Sequence, residues 1–332
     1  MPRTRRSDPA GPGLARVGRG KGFSYHGPAG ERVNDPAVIK RIKALVIPPA
    51  WKNVWICEDD RGHIQATGID AAGRKQYLYH EDWRQNRDRE KFERIEEFAK
   101  AMPSAREALE ADLALRGLVR ERVLACGVRL LDIGMFRIGS EEYEEENETF
   151  GLATMRKEHV RVTKKGLSFD YVAKGGIERT QLIEDRMVTA TVVALKRRKG
   201  TQADPLLAYK GPRGEVWHDV SSVEVNDWLK ALIGEDFSAK DFRTWNATVL
   251  AAMNLAGRSG AKDQAAAITQ AVEEVAAVLG NTPAVCRESY IDPRVIDAFG
   301  RGKTIKRALA SLSGDGFADR ERIEAAVLRL VA

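Results

Sequence analysis

The spacing of apolar residues changes once along the chain, near Asp82, and this change restricts the folds open to it more than any other feature. Before Asp82, short β-rich runs such as Val54-Trp55-Ile56-Cys57, His63-Ile64-Gln65-Ala66-Thr67-Gly68 and Lys75-Gln76-Tyr77-Leu78-Tyr79 are divided by turns such as Asp59-Asp60-Arg61-Gly62. That pattern predicts a small antiparallel sheet between Phe23 and about His80. After Asp82, Phe92, Ile95, Phe98 and Ala99 recur at steps of three and four, the period of a helix. Helical spacing returns over 217–232, 243–255 and 265–279. One β-rich interruption, over 152–162, 167–174 and 177–183, predicts a three-stranded meander whose second turn, Lys174-Gly175-Gly176, has a lysine at its tip.

The expected fold class is therefore α+β: a small β-rich N-terminal domain plus a larger, mainly α-helical domain with a three-stranded antiparallel sheet. A length of 332 residues suits two domains, each with its own core. The boundary is expected within 82–92, giving a β-rich domain over 23–90 and a helical domain over 91–332. Residues 1–22 carry Arg3, Arg5, Arg6, Arg16, Arg19 and Lys21 against Asp8, with several glycines, and predict a flexible basic arm.

Composition excludes several classes. The longest apolar runs fall far short of a membrane span, and the basic N-terminus leads into Pro and Gly instead of an apolar signal segment, so the expected location is cytoplasmic. Cys57, Cys126 and Cys286 are odd in number and lack C-x-x-C spacing, which argues against a disulfide framework and a zinc site. The five histidines show no metal-ligand spacing, and no metal or cofactor is expected. Gly302-Lys303-Thr304 resembles the end of a phosphate-binding loop, but Asp297 stands where that loop needs its first glycine. A net charge of +6 and a pI near 9.1 suit a polyanionic partner.

What remains is a basic set in a fixed order: Arg137 in Phe136-Arg137-Ile138-Gly139, then Lys174, then Lys240-Asp241-Phe242-Arg243, then Gly280-Asn281-Thr282-Pro283 and finally Ser289-Tyr290. At these residues, from about Val46 to Asp292, the sequence resembles the type IB DNA topoisomerases, particularly the small poxvirus-like and bacterial enzymes, and more distantly the tyrosine recombinases.

The resemblance implies a cofactor-free enzyme that relaxes supercoiled duplex DNA by cutting and resealing one strand. It is expected to act as a monomeric clamp around DNA, associated with the nucleoid. Arg137 and Arg243 would clamp the phosphoryl oxygens, since arginine is permanently charged and forks across two of them. Lys174 would protonate the leaving 5′ oxygen, with Lys240 as an auxiliary group, and Tyr290 would be the nucleophile.

Asn281 stands where the poxvirus enzymes and most recombinases place a histidine. An amide donates a hydrogen bond but does not titrate. Asn281 could equally cap the helix that Pro283 begins. The acidic stretch from Glu141 to Glu146 replaces a recognition segment of the poxvirus enzymes, leaving Tyr143 at a matching DNA-contact position. In the N-terminal domain the resemblance places Gln76 and Tyr77 on DNA bases and Arg74 and Lys75 on phosphates.

Two other readings share these motifs. A tyrosine recombinase would use the same chemistry, but the β-rich N-terminal domain favours a topoisomerase. A non-catalytic DNA-binding relic would not need the complete Arg, Lys, Arg and Tyr set.

Overall fold

The protein is described by a computed structural model covering residues 4–20, 22–140, 144, 148–211, 216–314 and 316–332, with Phe317 described by its backbone alone. It divides into two compact units, Met1–Glu93 and Arg94–Ala332.

The first unit is a five-stranded antiparallel sheet with one helix. Strands β1 (Leu14–Arg19), β2 (Gly22–His26), β3 (Lys52–Ile56), β4 (Ile64–Ile69) and β5 (Lys75–Tyr79) are arranged in the order β2-β1-β3-β4-β5. Helix α1 (Pro36–Ala44) starts where Asp35 accepts from the Ala37 amide at 2.8 Å and Pro36 fixes the first turn. Its Ile42 shares a small core with Leu14, Val54, Ile56 and Ala66.

This arrangement corrects the reading of residues 1–22 as a flexible arm. β1 pairs with both β2 and β3, and Arg16 is spent inside the fold, donating to the carbonyls of Ile47, Pro48 and Trp51. Ahead of it, Arg5 pairs with Gly62 and the Ser7 amide donates to His63 Nδ1 at 2.9 Å. Arginine and glycine content suggested a solvated tail, yet long-range backbone pairing engages its described residues at Arg5 and Leu14–Arg19.

Helix α2 (Glu81–Leu113) runs across the division between the units. The second unit continues with α3 (Arg120–Gly134), β6 (Val160–Val162), β7 (Leu167–Ala173), β8 (Ile177–Ile183) and α4 (Arg186–Lys196). The strands form an antiparallel three-stranded sheet in the order β6-β7-β8. Its first strand is shorter than expected, because 152–156 clasps the segment after α3 instead of joining the sheet, and Lys157–His159 is a 3-10 turn.

Next come β9 (Ala208–Lys210) and β10 (Trp217–Asp219), a second small sheet, so the expected helix over 217–232 begins only at α5 (Ser222–Ile233), capped by Ser221. Helices α6 (Ala239–Gly257), α7 (Gln264–Leu279), α8 (Pro283–Ser289), α9 (Pro293–Gly300), α10 (Lys306–Leu309) and α11 (Gly316–Val331) complete the chain. Helix α6 runs through the middle of the unit, with Phe242, Trp245, Ala252 and Leu255 all in the main core. Ile323, Val327 and Val331 seat α11 against the same core.

A buried ion network ties α11 to α2, α3 and α6. Arg106 donates to Asp132 at 3.0 and 3.1 Å and to Glu324 at 2.6 and 2.8 Å. Arg320 reaches Asp132 Oδ1 at 2.6 Å and Asn246 Oδ1 at 3.1 Å, and the Asn246 amide donates to the Asp132 carbonyl at 2.8 Å. Asp132 lies five residues before Arg137 and Asn246 three after Arg243, so the network fixes the segments carrying both arginines.

Burial pushes the Asp132 carboxyl up, but Arg320 and Arg106 outweigh it and hold the group below its ordinary value of 3.8. A carboxylate depressed in the folded state contributes stability that is fully present above its unfolded pKa and lost as the pH falls through the folded value. Thermal unfolding should therefore be insensitive to this group above about pH 5 and weaken below about pH 4. Asp132→Ala strands buried cations and should cost about 3–5 kcal/mol at pH 7. A urea titration giving under about 1 kcal/mol would show the network to be dispensable.

Candidate active site

Each basic side chain is placed by a local backbone device. Helix α3 stops at Met135, which adopts a left-handed conformation (φ 53°) and turns the chain so that Phe136 enters the core, edge-on to Phe169 at 4.9 Å. The following segment is clasped by 151–154: the Leu152 amide donates to the Arg137 carbonyl at 2.8 Å and the Ala153 amide to the Ile138 carbonyl at 2.7 Å. Gly139 and Gly151 make the crossing possible, since a Cβ on Gly139 would lie 2.8 Å from Gly151 Cα.

Arg243 projects from the first turns of α6. That helix starts with Ser238 and Asp241 capping each other's backbone amides, and Asp241 also pairs with Arg94 at 3.1 Å. Arg243 is 3 % exposed. Lys240, one turn earlier, is exposed.

Helix α7 ends at Gly280 in a left-handed conformation (φ 64°). The capping role offered above for Asn281 falls instead to Thr282, whose hydroxyl accepts from the Val285 amide at 3.3 Å, with Pro283 in the first turn of α8. Tyr290 closes α8, and its carbonyl accepts from the Thr248 hydroxyl at 3.3 Å.

These elements converge on the C-terminus of α7. Arg137 Nη2 donates to the Gly280 carbonyl at 3.1 Å and to Asn281 Oδ1. Arg243 Nη2 donates to the Leu279 carbonyl at 2.9 Å, and Nη1 donates to the Met135 carbonyl. Helix carbonyls left over at a C-terminus attract cations, which explains how guanidiniums come to lie together.

In this cluster, Arg243 Nε and Asn281 Nδ2 are buried donors with no hydrogen-bond partner. Because Arg137 donates to Asn281 Oδ1, the Asn281 amide nitrogen is the end left to donate. Buried donors without partners are costly, and two beside a pair of arginines suit an anion.

Tyr290 lies against this cluster, with Arg243 Cζ 5.4 Å from its ring centroid. Burial raises its phenol, but the charge and hydrogen bonding of Arg243, then the charges of Lys240 and Arg137, outweigh it and bring Tyr290 below its ordinary value of 10. Arg243 is in turn pushed down to about 10, by burial first and then by Arg137. By contrast Tyr171, whose hydroxyl donates to Gln181 at 3.1 Å, is held above its ordinary value by burial.

Arg137, Lys240, Arg243, Asn281 and Tyr290 are thus brought together. Lys174 occupies the exposed tip of the β7–β8 hairpin, where Gly175 (φ 83°) and Gly176 (φ 73°) form the turn. Arg179 on β8 was not singled out by the sequence, yet it donates to the Val278 carbonyl of α7. Nothing in its local sequence marks it; the signal is purely spatial.

In the first unit, strand alternation separates Gln76 from Tyr77. Gln76 is half-buried and donates to Asp70 at 2.9 Å, whereas Tyr77 is exposed and stacks on Tyr79, ring centroids 6.2 Å apart, with Lys75 Nζ 5.6 Å from the Tyr77 ring. Arg74 is paired with Asp70 at 2.9 Å. Tyr143 lies outside the described residues.

Comparisons with known proteins agree along most of the chain. Residues 80–312 match the family model of the eukaryotic DNA topoisomerase I catalytic core, and residues 22–70 that of the bacterial DNA topoisomerase IB N-terminal domain. The chain is 29 % identical over 259 residues to the DNA topoisomerase 1B of Acanthamoeba polyphaga mimivirus, covering 76 % of this chain and 77 % of the viral protein. It is 22 % identical over 234 residues to the DNA topoisomerase 1B of Vaccinia virus (strain Copenhagen), covering 69 % and 70 %. The DNA topoisomerase 1 of Schizosaccharomyces pombe is 27 % identical over 170 residues, 51 % of this chain but 19 % of the much longer yeast protein. No helix among the described residues is long and apolar enough to cross a membrane.

Proposed function

The chain belongs to the type IB DNA topoisomerase family, and from that premise we propose that it relaxes supercoiled duplex DNA through a covalent 3′-phosphotyrosyl intermediate on Tyr290, without ATP or an obligatory metal ion. The observation that carries the reading is the convergence, at the end of α7, of two arginines and two unpartnered buried donors beside an acidified tyrosine.

In the proposed reaction the Tyr290 oxygen attacks the scissile phosphorus, a P–O bond to tyrosine forms, and the bond to the 5′ oxygen breaks. The phenol proton leaves to solvent or to Lys240, and the 5′ oxygen takes a proton from Lys174. Charge growing on the two non-bridging oxygens would meet Arg137, Arg243 and the Asn281 amide, whose convergence at the end of α7 supports this role. Arg243 is held below its ordinary value in the free protein, so a phosphodiester anion relieves the repulsion between the two arginines as it binds. The 5′-hydroxyl later attacks the phosphotyrosine, reversing each transfer, so the bond energy is conserved and no nucleotide is consumed.

Lys174 suits the acid role by its place: an ammonium on an exposed hairpin tip can reach into a groove of the duplex. The enzyme is proposed to act as a monomeric clamp on chromosomal DNA, with Tyr77 and Lys75 of the first unit and Tyr143 among its DNA contacts, and with Gln76 and Arg74 reaching DNA after release from Asp70.

The test is relaxation of supercoiled plasmid in EDTA with no nucleotide. Relaxation through a ladder of topoisomers, with a protein–DNA adduct trapped by detergent, is the expected result. Intact DNA binding without relaxation, or relaxation that requires added metal, would overturn it.

A further inference from the structure

The last three carbonyls before Asn281 are each taken by a different arginine: Val278 by Arg179, Leu279 by Arg243 and Gly280 by Arg137. Two of these arginines belong to the proposed phosphate clamp. The third has no assigned role, although it completes the same pattern.

Arg179 is fixed by the sheet. It stands opposite Tyr171 in the β7–β8 pairing, three residues beyond the last glycine of the Lys174 turn, and its guanidinium lies over Gly280. A Cβ on Gly280 would run into Arg179 Nη1, so a side chain there would displace the guanidinium, and the left-handed φ favours glycine. Burial and the nearby Arg137 work against the Arg179 charge, and Arg179 in turn acts on Arg243. A third cation in such company needs a compensating gain, which the end of α7 provides through its carbonyl and its negative dipole.

Asn281 explains why that grip matters. A short amide has one orientation in which it can donate to a phosphate, and Arg137 fixes its rotation by donating to Oδ1. Its position depends on the turn at Gly280, against which Arg179 packs. We propose that Arg179 is a positioning residue for strand cleavage, setting the Asn281 amide on the scissile phosphate by holding the Val278 carbonyl and bracing the Gly280 turn. The inference rests on the topoisomerase reading of this site.

The experiment measures initial rates of plasmid relaxation in EDTA over a range of DNA concentrations, for the wild type, Arg179→Ala, Arg179→Lys, Asn281→Ala and the Arg179→Ala/Asn281→Ala double variant. Arg179→Ala should lower the saturated rate about 10–100-fold while changing the half-saturating DNA concentration by less than about 3-fold. In the Asn281→Ala background the same change should cost less than about 3-fold, because the group it positions is gone. Arg179→Lys, which keeps a charged donor, should recover to within about 5-fold of the wild type.

Equal losses in both backgrounds would overturn the role, as would an Arg179→Ala enzyme as fast as the wild type. If Arg179→Ala does not fold, Arg179→Gln, which retains an N–H donor, enters the same cycle under the same criteria. A wild type that fails to relax plasmid overturns the topoisomerase reading and this inference together. A relaxing wild type beside a fully active Arg179→Ala removes only the role of Arg179.

Discussion

Tyr290→Phe should abolish plasmid relaxation and covalent trapping together, a loss of at least about 10⁴-fold, while DNA affinity stays within about 3-fold of the wild type. The substitution removes one oxygen and leaves the ring against Arg243 and the backbone carbonyl on Thr248. No other tyrosine in the described site can take over. Tyr171 is buried, donates its hydroxyl to Gln181, and is shifted away from ionisation where Tyr290 is shifted towards it. The measurement is a detergent-quenched cleavage assay with labelled duplex, read as a shifted protein–DNA band, beside fluorescence anisotropy for binding. A persistent adduct in Tyr290→Phe would show that another residue is the nucleophile. Loss of binding with loss of cleavage would mean that the hydroxyl holds DNA instead of reacting with it.

The candidate site residues could be picked out in the sequence through their resemblance to a known family, while the scaffold around them had to be read from apolar spacing. An arginine, a hairpin lysine, Lys-x-x-Arg and a late tyrosine stand in the order that the resemblance implies, even though they lie far apart in the chain. The change of apolar period near Asp82 was equally visible, since a strand exposes alternate residues and a helix every third or fourth. Composition misled where backbone pairing decided the outcome. Arg16 and its neighbours looked like a solvated arm, but three carbonyls claim the Arg16 guanidinium and β1 is paired on both sides.

Residues 217–219 had helical spacing and became a strand because Ala208–Lys210 lies beside them. Asn281 and Thr282 are both good helix caps by type, and only the geometry shows Thr282 in that role, leaving Asn281 to Arg137. Arg179 was beyond reach altogether: one arginine in a strand of mixed residues carries no signal until the chain folds it onto the carbonyl of a residue 99 positions away.

Arg243→Ala should lower relaxation by about 10³-fold and should also move its pH dependence, which distinguishes a charge acting on Tyr290 from a charge that merely holds phosphate. The sign follows from the groups around the phenol. Burial raises Tyr290, and Arg243 makes the leading contribution that brings it down, ahead of Lys240 and Arg137. Without Arg243 burial gains ground, the pKa rises, and the tyrosinate becomes scarcer at any given pH below it. The rate of the variant should therefore keep climbing to a higher pH than that of the wild type, so the deficit narrows as the medium becomes more alkaline. Arg243→Lys should lose less, about 10–100-fold, because the charge remains while the bonds to the Leu279 and Met135 carbonyls are not both reproduced. Single-turnover cleavage between pH 6 and pH 9, paired with thermal unfolding to exclude collapse of α6, decides the matter. A deficit constant across pH would confine Arg243 to the phosphoryl oxygens, and the acidity of Tyr290 would then have to come from Lys240 and Arg137, whose removal should reproduce the missing shift.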